Sequence, residues 1–208
     1  AGLRLATALG EFFVYRPVRD QLGLRQTRWV LTGGAPLGPD TFRFFRSIGV
    51  NLKQVYGSTE TTGLVSLQPD REANPTTAGR PVPGVEVKIG ERGEVLVRGC
   101  AVFKGYLKNE EATREVIDPD GWFHTGDQGE VNERGNWRII GRLKNLIILN
   151  SGHNIAPEPI EESLTRAIPG AQQVMLVGNG RGYLAAIVTG AVEREAVQQA
   201  LDATNATL

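Results

Sequence analysis

The first third of the chain alternates between helical patterns and short apolar runs. Residues 1–22 place apolar side chains at the spacing of one helix face, although Pro17 interrupts the pattern. The runs 28–32 and 50–55 predict short strands, each followed by a glycine-containing turn. Between them, 39–49 has the pattern of a helix that ends at a glycine. This order predicts a βαβ unit with parallel strands, whose ligands bind at the carboxyl ends of the strands.

From about Thr77 the pattern changes to short alternating strands separated by polar turns. The segments 85–89 and 94–98 alternate apolar and polar residues, and so does the run 137–140. A short helical pattern over 109–116 interrupts them. Short alternating strands with polar turns are typical of a small antiparallel sheet or barrel.

A third pattern begins after residues 141–145. The remaining chain predicts strands at 146–149, 174–177 and 183–189, and helices at 157–167 and 191–208. The first of these helices has an acidic first turn that complements the helix dipole. We therefore expect a separate small α+β unit and a boundary at 141–145.

These changes predict a fold class and three parts. The fold class is α/β plus a small antiparallel β-barrel and an α+β unit. Residues 1–76 form the end of a doubly wound α/β sheet, 77–141 form the barrel, and 142–208 form the start of a C-terminal α+β domain. The chain opens in a helical pattern without Met, so we expect a fragment of a longer protein.

Composition and charge narrow the function classes. Of 208 residues, 23 are Lys or Arg and 23 are Asp or Glu, so the net charge is zero. This argues against a general nucleic-acid binder. One cysteine, Cys100, excludes a disulfide framework and a multi-cysteine metal cluster, and a reducing cytoplasmic location is expected. No apolar run approaches the roughly 18 residues of a membrane span. The sequence does not exclude a peripheral contact with a membrane surface.

The turn at residues 56–63 is the richest candidate for chemistry. Hydroxyls and a glycine at a strand end can surround an anionic ligand with backbone N–H groups. Glu60 beside them suits Mg²⁺, which takes oxygen ligands and is usually shared with substrate phosphates. On spacing alone, an ordinary polar turn with a solvated Glu60 remains the alternative.

Two further segments carry candidate polar groups. Asp127 ends the segment 121–127 and is expected at a loop tip, where it could accept hydrogen bonds from a vicinal diol or simply close an Asx turn. In 141–144, Arg142 could contact a ribose or a phosphate, and Lys144 could equally be a solvated linker cation.

The remaining metal-binding and nucleophilic residue types are few. His124 and His153 are the two histidines, and without a third ligand we interpret them as structural or pocket-lining. Cys100 is expected to be a buried small apolar residue. No nucleophile-elbow, P-loop or dinucleotide-binding glycine motif is present.

Taken together and in order, the motifs resemble the adenylate-forming ligase superfamily of acyl-CoA synthetases, luciferases and peptide-synthetase adenylation domains. The resemblance covers essentially the whole chain. The matching segments are 32–37, 54–60, 93–99 followed by 105–107, 121–127, 141–144 and 151–157.

Within that superfamily the sequence is most similar to long-chain fatty acyl-CoA synthetases. The segments 33–40, 51–54 and 154–161 carry this likeness. The stretch between Arg142 and Gly152 is one residue longer than in many shorter-chain relatives, and long-chain members share that spacing.

The resemblance implies a reaction in two steps. ATP first activates a carboxylate as an acyl-adenylate with release of pyrophosphate, and the thiol of CoA then takes the acyl group. It implies that Glu60 ligates Mg²⁺ and that Thr59 contacts the α-phosphate. Gly33, Gly34, Ala35 and Tyr56 would frame the adenine, with Tyr56 stacked on the ring, and Gln54 and Gly57 would also belong to the nucleotide-binding site.

The resemblance also assigns residues of the later segments. Asp127 would hold the ribose hydroxyls, with Arg142 nearby. Lys144 would be the hinge about which the small domain rotates between the two steps. Ser151 and Gly152 would line the pantetheine tunnel.

Two parts of the family's machinery are not found in this sequence, namely the upstream phosphate loop and a lysine near the C-terminus. We therefore expect little or no ligase activity from this polypeptide alone. Two other functions stay open. One is a fatty acyl-AMP ligase or carrier-protein-loading domain, whose acceptor is a phosphopantetheine arm. The other is a non-catalytic nucleotide-binding module.

Overall fold

The computed structural model describes residues 7–35, 37–70 and 72–206. The chain divides into two compact units, each described by itself below. The first comprises the described residues of Ala1–Lys88, Leu96–His124 and Val131–Arg138. The second comprises those of Ile89–Val95, Thr125–Glu130 and Ile139–Leu208.

Helices and strands alternate along most of the chain. The α-helices are α1 (Arg16–Gln21), α2 (Pro39–Ser47), α3 (Glu110–Val116), α4 (Pro157–Ala167) and α5 (Arg194–Asn205). The strands are β1 (Val30–Thr32), β2 (Leu52–Tyr56), β3 (Ser66–Leu67), β4 (Arg80–Pro81), β5 (Val85–Ile89), β6 (Glu94–Gly99), β7 (Phe123–Val131), β8 (Trp137–Arg142), β9 (Ile147–Ile148), β10 (Asn154–Ile155), β11 (Ala171–Val177) and β12 (Ala185–Gly190).

The predicted βαβ unit is confirmed. Strands β1 and β2 are parallel, with Thr32 opposite Gln54, and α2 connects them. Pro39 suits the first position of α2 because its fixed φ is already helical and its missing N–H has no partner to lose there. The buried core of this unit includes Phe42 and Leu52. Strands β3 and β4, which the sequence pattern did not predict, extend the sheet: β3 pairs antiparallel with β2, and β4 pairs antiparallel with β3.

The expected antiparallel barrel is a sheet with strand order β5-β6-β7-β8. The connections at Glu91–Gly93 and at residues 132–136 are too short for a parallel crossover, so β5/β6 and β7/β8 are hairpins. Strand β5 has the predicted bounds. Asn109 caps the N-terminus of α3, since its side-chain oxygen accepts a hydrogen bond from the N–H of Ala112 at 3.1 Å.

Asp127 does not lie at a loop tip, contrary to the expectation from its flanking glycines. The turn closes earlier, where Asp118 accepts hydrogen bonds from the N–H groups of Gly121 (3.0 Å) and Trp122 (2.8 Å). Strand β7 then runs through Gly126 and Asp127, and Asp127 is only 6% exposed. Gly126, with a φ of +70°, is therefore a local irregularity within β7 and does not mark a loop.

The C-terminal part has the expected α+β composition. Strands β11 and β12 pair antiparallel, and a buried core that includes Leu164, Val174 and Ala200 joins them to α4 and α5. Helix α4 has the predicted bounds, with Pro157 at its first position. The pattern missed β10, which pairs antiparallel with β9 over two residues.

Two smaller expectations need correction. Cys100 is exposed rather than buried, because it follows β6 in a turn. The N-terminal helical pattern holds over residues 7–21, but residues Glu11–Tyr15 form a π-helical turn ahead of α1, so Pro17 lies in the first turn of α1 instead of breaking a helix. Residues 1–6 of that pattern lie outside the described residues.

Replacing Gly57 by Ala is expected to destabilise the protein by about 2–3 kcal/mol. A Cβ there would lie 2.5 Å from the carbonyl carbon of Gly63 and 2.7 Å from the nitrogen of Leu64, and backbone cannot give way as a side chain can. Gly182→Ala is the matched control, because its Cβ would meet only the side chain of Asn150, at 3.4 Å. Denaturant unfolding measures both changes, and equal effects would contradict the packing argument.

Candidate functional site

Two turns of the first unit meet at the carboxyl edge of β1 and β2. Because these strands are parallel, the turn after Thr32 and the turn after Tyr56 leave the sheet at the same edge. The first turn lies close to the end of β2, from which the second turn starts, since a Cβ on Gly33 would lie 2.7 Å from Cγ2 of Val55. Gly34 and Ala35 follow and are exposed. The expected adenine-side turn and the hydroxyl-rich turn are therefore neighbours.

The second turn is closed by its own hydroxyl groups. The N–H of Ser58 donates to Oγ1 of Thr61 at 2.8 Å, and that hydroxyl donates to the carbonyl oxygen of Ser58 at 3.1 Å. This capping box fixes one turn of 3₁₀ helix over Thr59–Thr61. Thr61 is buried, Thr59 is exposed and Glu60 is half-buried. The turn thus exposes Thr59 to solvent and leaves Glu60 partly accessible.

Glu60 is held at both its backbone and its side chain. Its carbonyl oxygen accepts a hydrogen bond from the N–H of Phe103 at 2.7 Å. Its Oε1 accepts a hydrogen bond from the hydroxyl of Tyr106 at 2.9 Å. Sequence reasoning placed Tyr106 in a barrel motif and assigned it no role. The Gly-Tyr-Leu motif singles out Tyr106 in the sequence, but nothing in the sequence indicates that its hydroxyl contacts Glu60.

The environment of Tyr106 favours its neutral phenol. Tyr106 is 37% exposed. The partial burial of its ring raises the pKa of the hydroxyl above its usual range, and the hydrogen bond to Glu60 and the negative charge of Glu60 raise it further. Tyr106 therefore remains a hydrogen-bond donor to Glu60 throughout the physiological pH range.

The donor set fits a divalent cation only in company with a ligand. Among the described residues no group of three or more His, Cys, Asp or Glu side chains could enclose a metal ion. Mg²⁺ is commonly held by one or two carboxylates together with substrate phosphates and water. A carboxylate has about four acceptor positions, so the hydrogen bond from Tyr106 does not preclude coordination by Glu60. Glu60 thus fits as a single protein ligand of a metal–phosphate complex.

Gln54 and Tyr56 lie on the strand that leads into the turn. The Nε2 of Gln54 donates to the carbonyl oxygens of Asn74 (3.2 Å) and Thr77 (3.3 Å), so its side chain supports the loop before β4. Tyr56 is the last residue of β2 and is half-buried, and its carbonyl oxygen accepts a hydrogen bond from Val65 at 2.7 Å.

In the second unit, Asp127 and Arg142 form an ion pair. The Nε of Arg142 lies 2.8 Å from Oδ1 of Asp127, whose side chain is 8% exposed, whereas Arg142 is about half exposed. The hydroxyl of Thr125 donates to the carbonyl oxygen of Val95 at 2.7 Å and accepts from the N–H of Asp127 at 3.1 Å. The pair therefore sits on a locally fixed strand. A buried carboxylate paired with a guanidinium can accept hydrogen bonds from a diol.

The hinge and tunnel candidates are exposed. Lys144 lies in the short 3₁₀ turn Leu143–Asn145 that follows β8. Ser151 and Gly152 lie in the turn between β9 and β10, where Oγ of Ser151 is 2.8 Å from Nδ1 of His153. His124, the other histidine, has its Nε2 3.8 Å from Asp118.

Two family models match most of the chain. The model of the AMP-binding enzyme matches residues 6–107, and that of the AMP-binding enzyme C-terminal domain matches residues 144–207. The chain belongs to the AMP-binding enzyme family. This membership agrees with the ordered motifs and with the observed fold.

Relatives and a solved structure support the same membership. The chain is 41% identical over 187 residues to long-chain-fatty-acid–CoA ligase FadD15 of Mycobacterium bovis, covering 90% of this chain and 31% of that protein. It is 39% identical over 181 residues to long-chain-fatty-acid–CoA ligase heimdall of Drosophila melanogaster, covering 85% and 26%. The crystal structure of ATP-bound MatB from Rhodopseudomonas palustris superimposes with a TM-score of 0.70 at 31% identity, covering 85% and 39%.

The chain spans about a third or less of the length of these curated relatives. Within the described part of the chain, no helix is long and apolar enough to cross a membrane.

Replacing Glu60 by Gln is expected to lower the pKa of Tyr106 while leaving it above the ordinary value of about 10, because burial persists. Since the folded-state pKa is raised, the neutral phenol stabilises the fold below pH ~10, and this contribution is lost as the pH rises through the folded-state pKa. Tyrosinate absorbance measures the shift, and subtracting the Tyr106→Phe titration in each background isolates this phenol among four tyrosines. Glu115→Gln is the control, and an unchanged pKa in Glu60→Gln would contradict the contact.

Proposed function

We propose that this chain is the nucleotide-binding and hinge region of an AMP-forming acyl-CoA ligase that acts on long-chain fatty acids. Three features support the proposal. They are membership of the AMP-binding enzyme family, similarity to relatives named long-chain-fatty-acid–CoA ligases, and the geometry of the turn that carries Glu60 and of the ion pair between Asp127 and Arg142. The observation that carries it is the fixed turn of Thr59 and Glu60 at the carboxyl edge of a parallel strand pair.

The first unit would bind the adenine and the phosphates. Gly33, Gly34 and Ala35 would contact one side of the adenine, with Tyr56 stacked on the ring. Gln54 and Gly57 would complete the wall by fixing the backbone around it. Thr59, which is exposed, would donate to the α-phosphate.

Glu60 would hold Mg²⁺ by one carboxylate, and the ion would supply positive charge against the phosphate oxygens where charge develops as pyrophosphate leaves. Binding the carboxylate substrate and ATP side by side would place the two reacting groups within reach of each other. The fatty acid, ATP and CoA are the substrates under this proposal.

The second unit would bind the ribose and serve the second step. The Asp127 carboxylate would accept both ribose hydroxyls while Arg142 holds it in place. Lys144 would act as the hinge, and Ser151 and Gly152 would line the path of the pantetheine arm. Residues 1–76, 77–141 and 142–208 would then be the sheet, barrel and C-terminal parts of the ligase. A cytoplasmic location is part of the same proposal.

The test is substrate-dependent pyrophosphate release, assayed on the 208-residue chain and on the longest polypeptide that the native gene encodes. We expect release in the longest polypeptide to require ATP and a long-chain fatty acid rather than a short-chain acid, and acyl transfer to CoA to follow. Glu60→Gln and Asp127→Asn should each lower the rate about 100-fold or more, since charged contacts to the reacting nucleotide are lost.

Matched controls are Glu195→Gln and Asp120→Asn, both at exposed positions. Unchanged release in both Glu60→Gln and Asp127→Asn would contradict the site assignment. Release with transfer to a phosphopantetheine carrier protein but not to CoA would replace the acceptor in the proposal. Absence of release from every acid tested would contradict the ligase function.

A further inference from the structure

Tyr106 connects the loop after β6 to the carboxylate of Glu60, across 46 residues of sequence. The hydroxyl donates to Oε1 at 2.9 Å, and the N–H of Phe103, three residues earlier in the same loop, donates to the carbonyl oxygen of Glu60 at 2.7 Å. One segment therefore holds Glu60 at two points. A backbone bond fixes where the residue lies, and the phenol restricts which way its carboxylate faces.

The phenol is itself firmly placed. Its ring packs edge-on against Phe103 with centroids 4.9 Å apart, and Phe103 packs in the same manner against Phe123 at 5.9 Å. The N–H of Tyr106 donates to Oγ1 of Thr113 at 2.9 Å, and that hydroxyl donates to the carbonyl oxygen of Asn109 at 2.8 Å. The position of the donor is therefore fixed by a row of edge-to-face aromatic contacts and by the first turn of α3.

A carboxylate side chain loses rotamer freedom when it ligates a metal, which costs conformational entropy. A hydrogen bond that already restrains the side chain reduces this cost. A hydrogen bond to a charged acceptor is also stronger than one between neutral groups. Orientation by a neutral donor leaves the carboxylate its negative charge, which the metal needs. Supporting groups of this kind commonly change metal affinity 10–100-fold when removed.

We propose that Tyr106 is a positioning residue that orients the Glu60 carboxylate toward the divalent cation of a metal–nucleotide complex. The inference rests on the proposed function, since it takes Glu60 as the metal ligand. It adds a residue outside the turn, and it makes the loop after β6 part of the metal site.

The test measures nucleotide affinity with and without metal in the longest polypeptide that the native gene encodes. Mn²⁺ replaces Mg²⁺ because its electron paramagnetic resonance signal reports its own binding, and AMP-PNP is the nucleotide. In Tyr106→Phe we expect Mn²⁺·AMP-PNP to bind about 10-fold more weakly, while metal-free AMP-PNP binds as in the wild type. The substituted ring keeps its aromatic contacts, so the fold is preserved. Tyr183→Phe, at an exposed position of the second unit, is the control.

The double variant Glu60→Gln/Tyr106→Phe should bind Mn²⁺·AMP-PNP no more weakly than Glu60→Gln alone, because the phenol acts through this carboxylate. Equal losses with and without metal in Tyr106→Phe, no loss at all, or an additive loss in the double variant would each overturn the proposal. Wild-type binding that Mn²⁺ does not tighten would overturn it while leaving the nucleotide site intact. Absence of nucleotide binding in the wild type would overturn both proposals.

Discussion

The candidate site depends on a backbone approach that leaves no room for a side chain at Gly57. The chain leaves β2 there, and the backbone of Gly63 and Leu64 returns so close to Gly57 that a Cβ on Gly57 would clash with it. The hydroxyl of Thr61 then closes it, accepting a hydrogen bond from the N–H of Ser58 and donating one to the carbonyl oxygen of Ser58. Because the turn is fixed by its own atoms, the directions of Thr59 and Glu60 follow from the strand that precedes them.

The local elements could be predicted well where sequence pattern and burial agree. Helix α4 begins at Pro157 and buries Leu164, and strand β5 buries Val85 and half-buries Val87 on either side of the exposed Glu86, so both have the expected bounds. Short strands such as β3 and β10 could not be predicted, because two residues carry no period and their pairing depends on distant partners. Asp127 was placed in a loop because adjacent glycines in a strand give the same signal as a turn.

The candidate site also has a part that could be predicted from the sequence and a part that could not. Residue types at a strand end make Thr59 and Glu60 candidates, and the motif order makes Asp127 and Arg142 candidates. The contacts of these side chains could not be predicted from the sequence, because their partners are distant along the chain. Tyr106 contacts Glu60 from 46 residues away, and Arg142 contacts Asp127 from the neighbouring hairpin strand. The two anchors differ in kind, since Glu60 is oriented by a neutral donor and Asp127 by a cation. This difference suits a metal-binding carboxylate and a diol-binding one, respectively.

The central proposal is that Thr59 and Glu60 bind the phosphate of a nucleotide and that Asp127, paired with Arg142, binds a ribose. A crystal structure of the protein with a non-hydrolysable acyl-adenylate mimic tests it most directly. The account predicts the ribose hydroxyls on the Asp127 carboxylate, the phosphate-mimicking group beside Thr59 and the adenine against Gly33 and Tyr56. A mimic bound with its ribose away from Asp127, or a structure in which these side chains contact no part of it, would contradict the account.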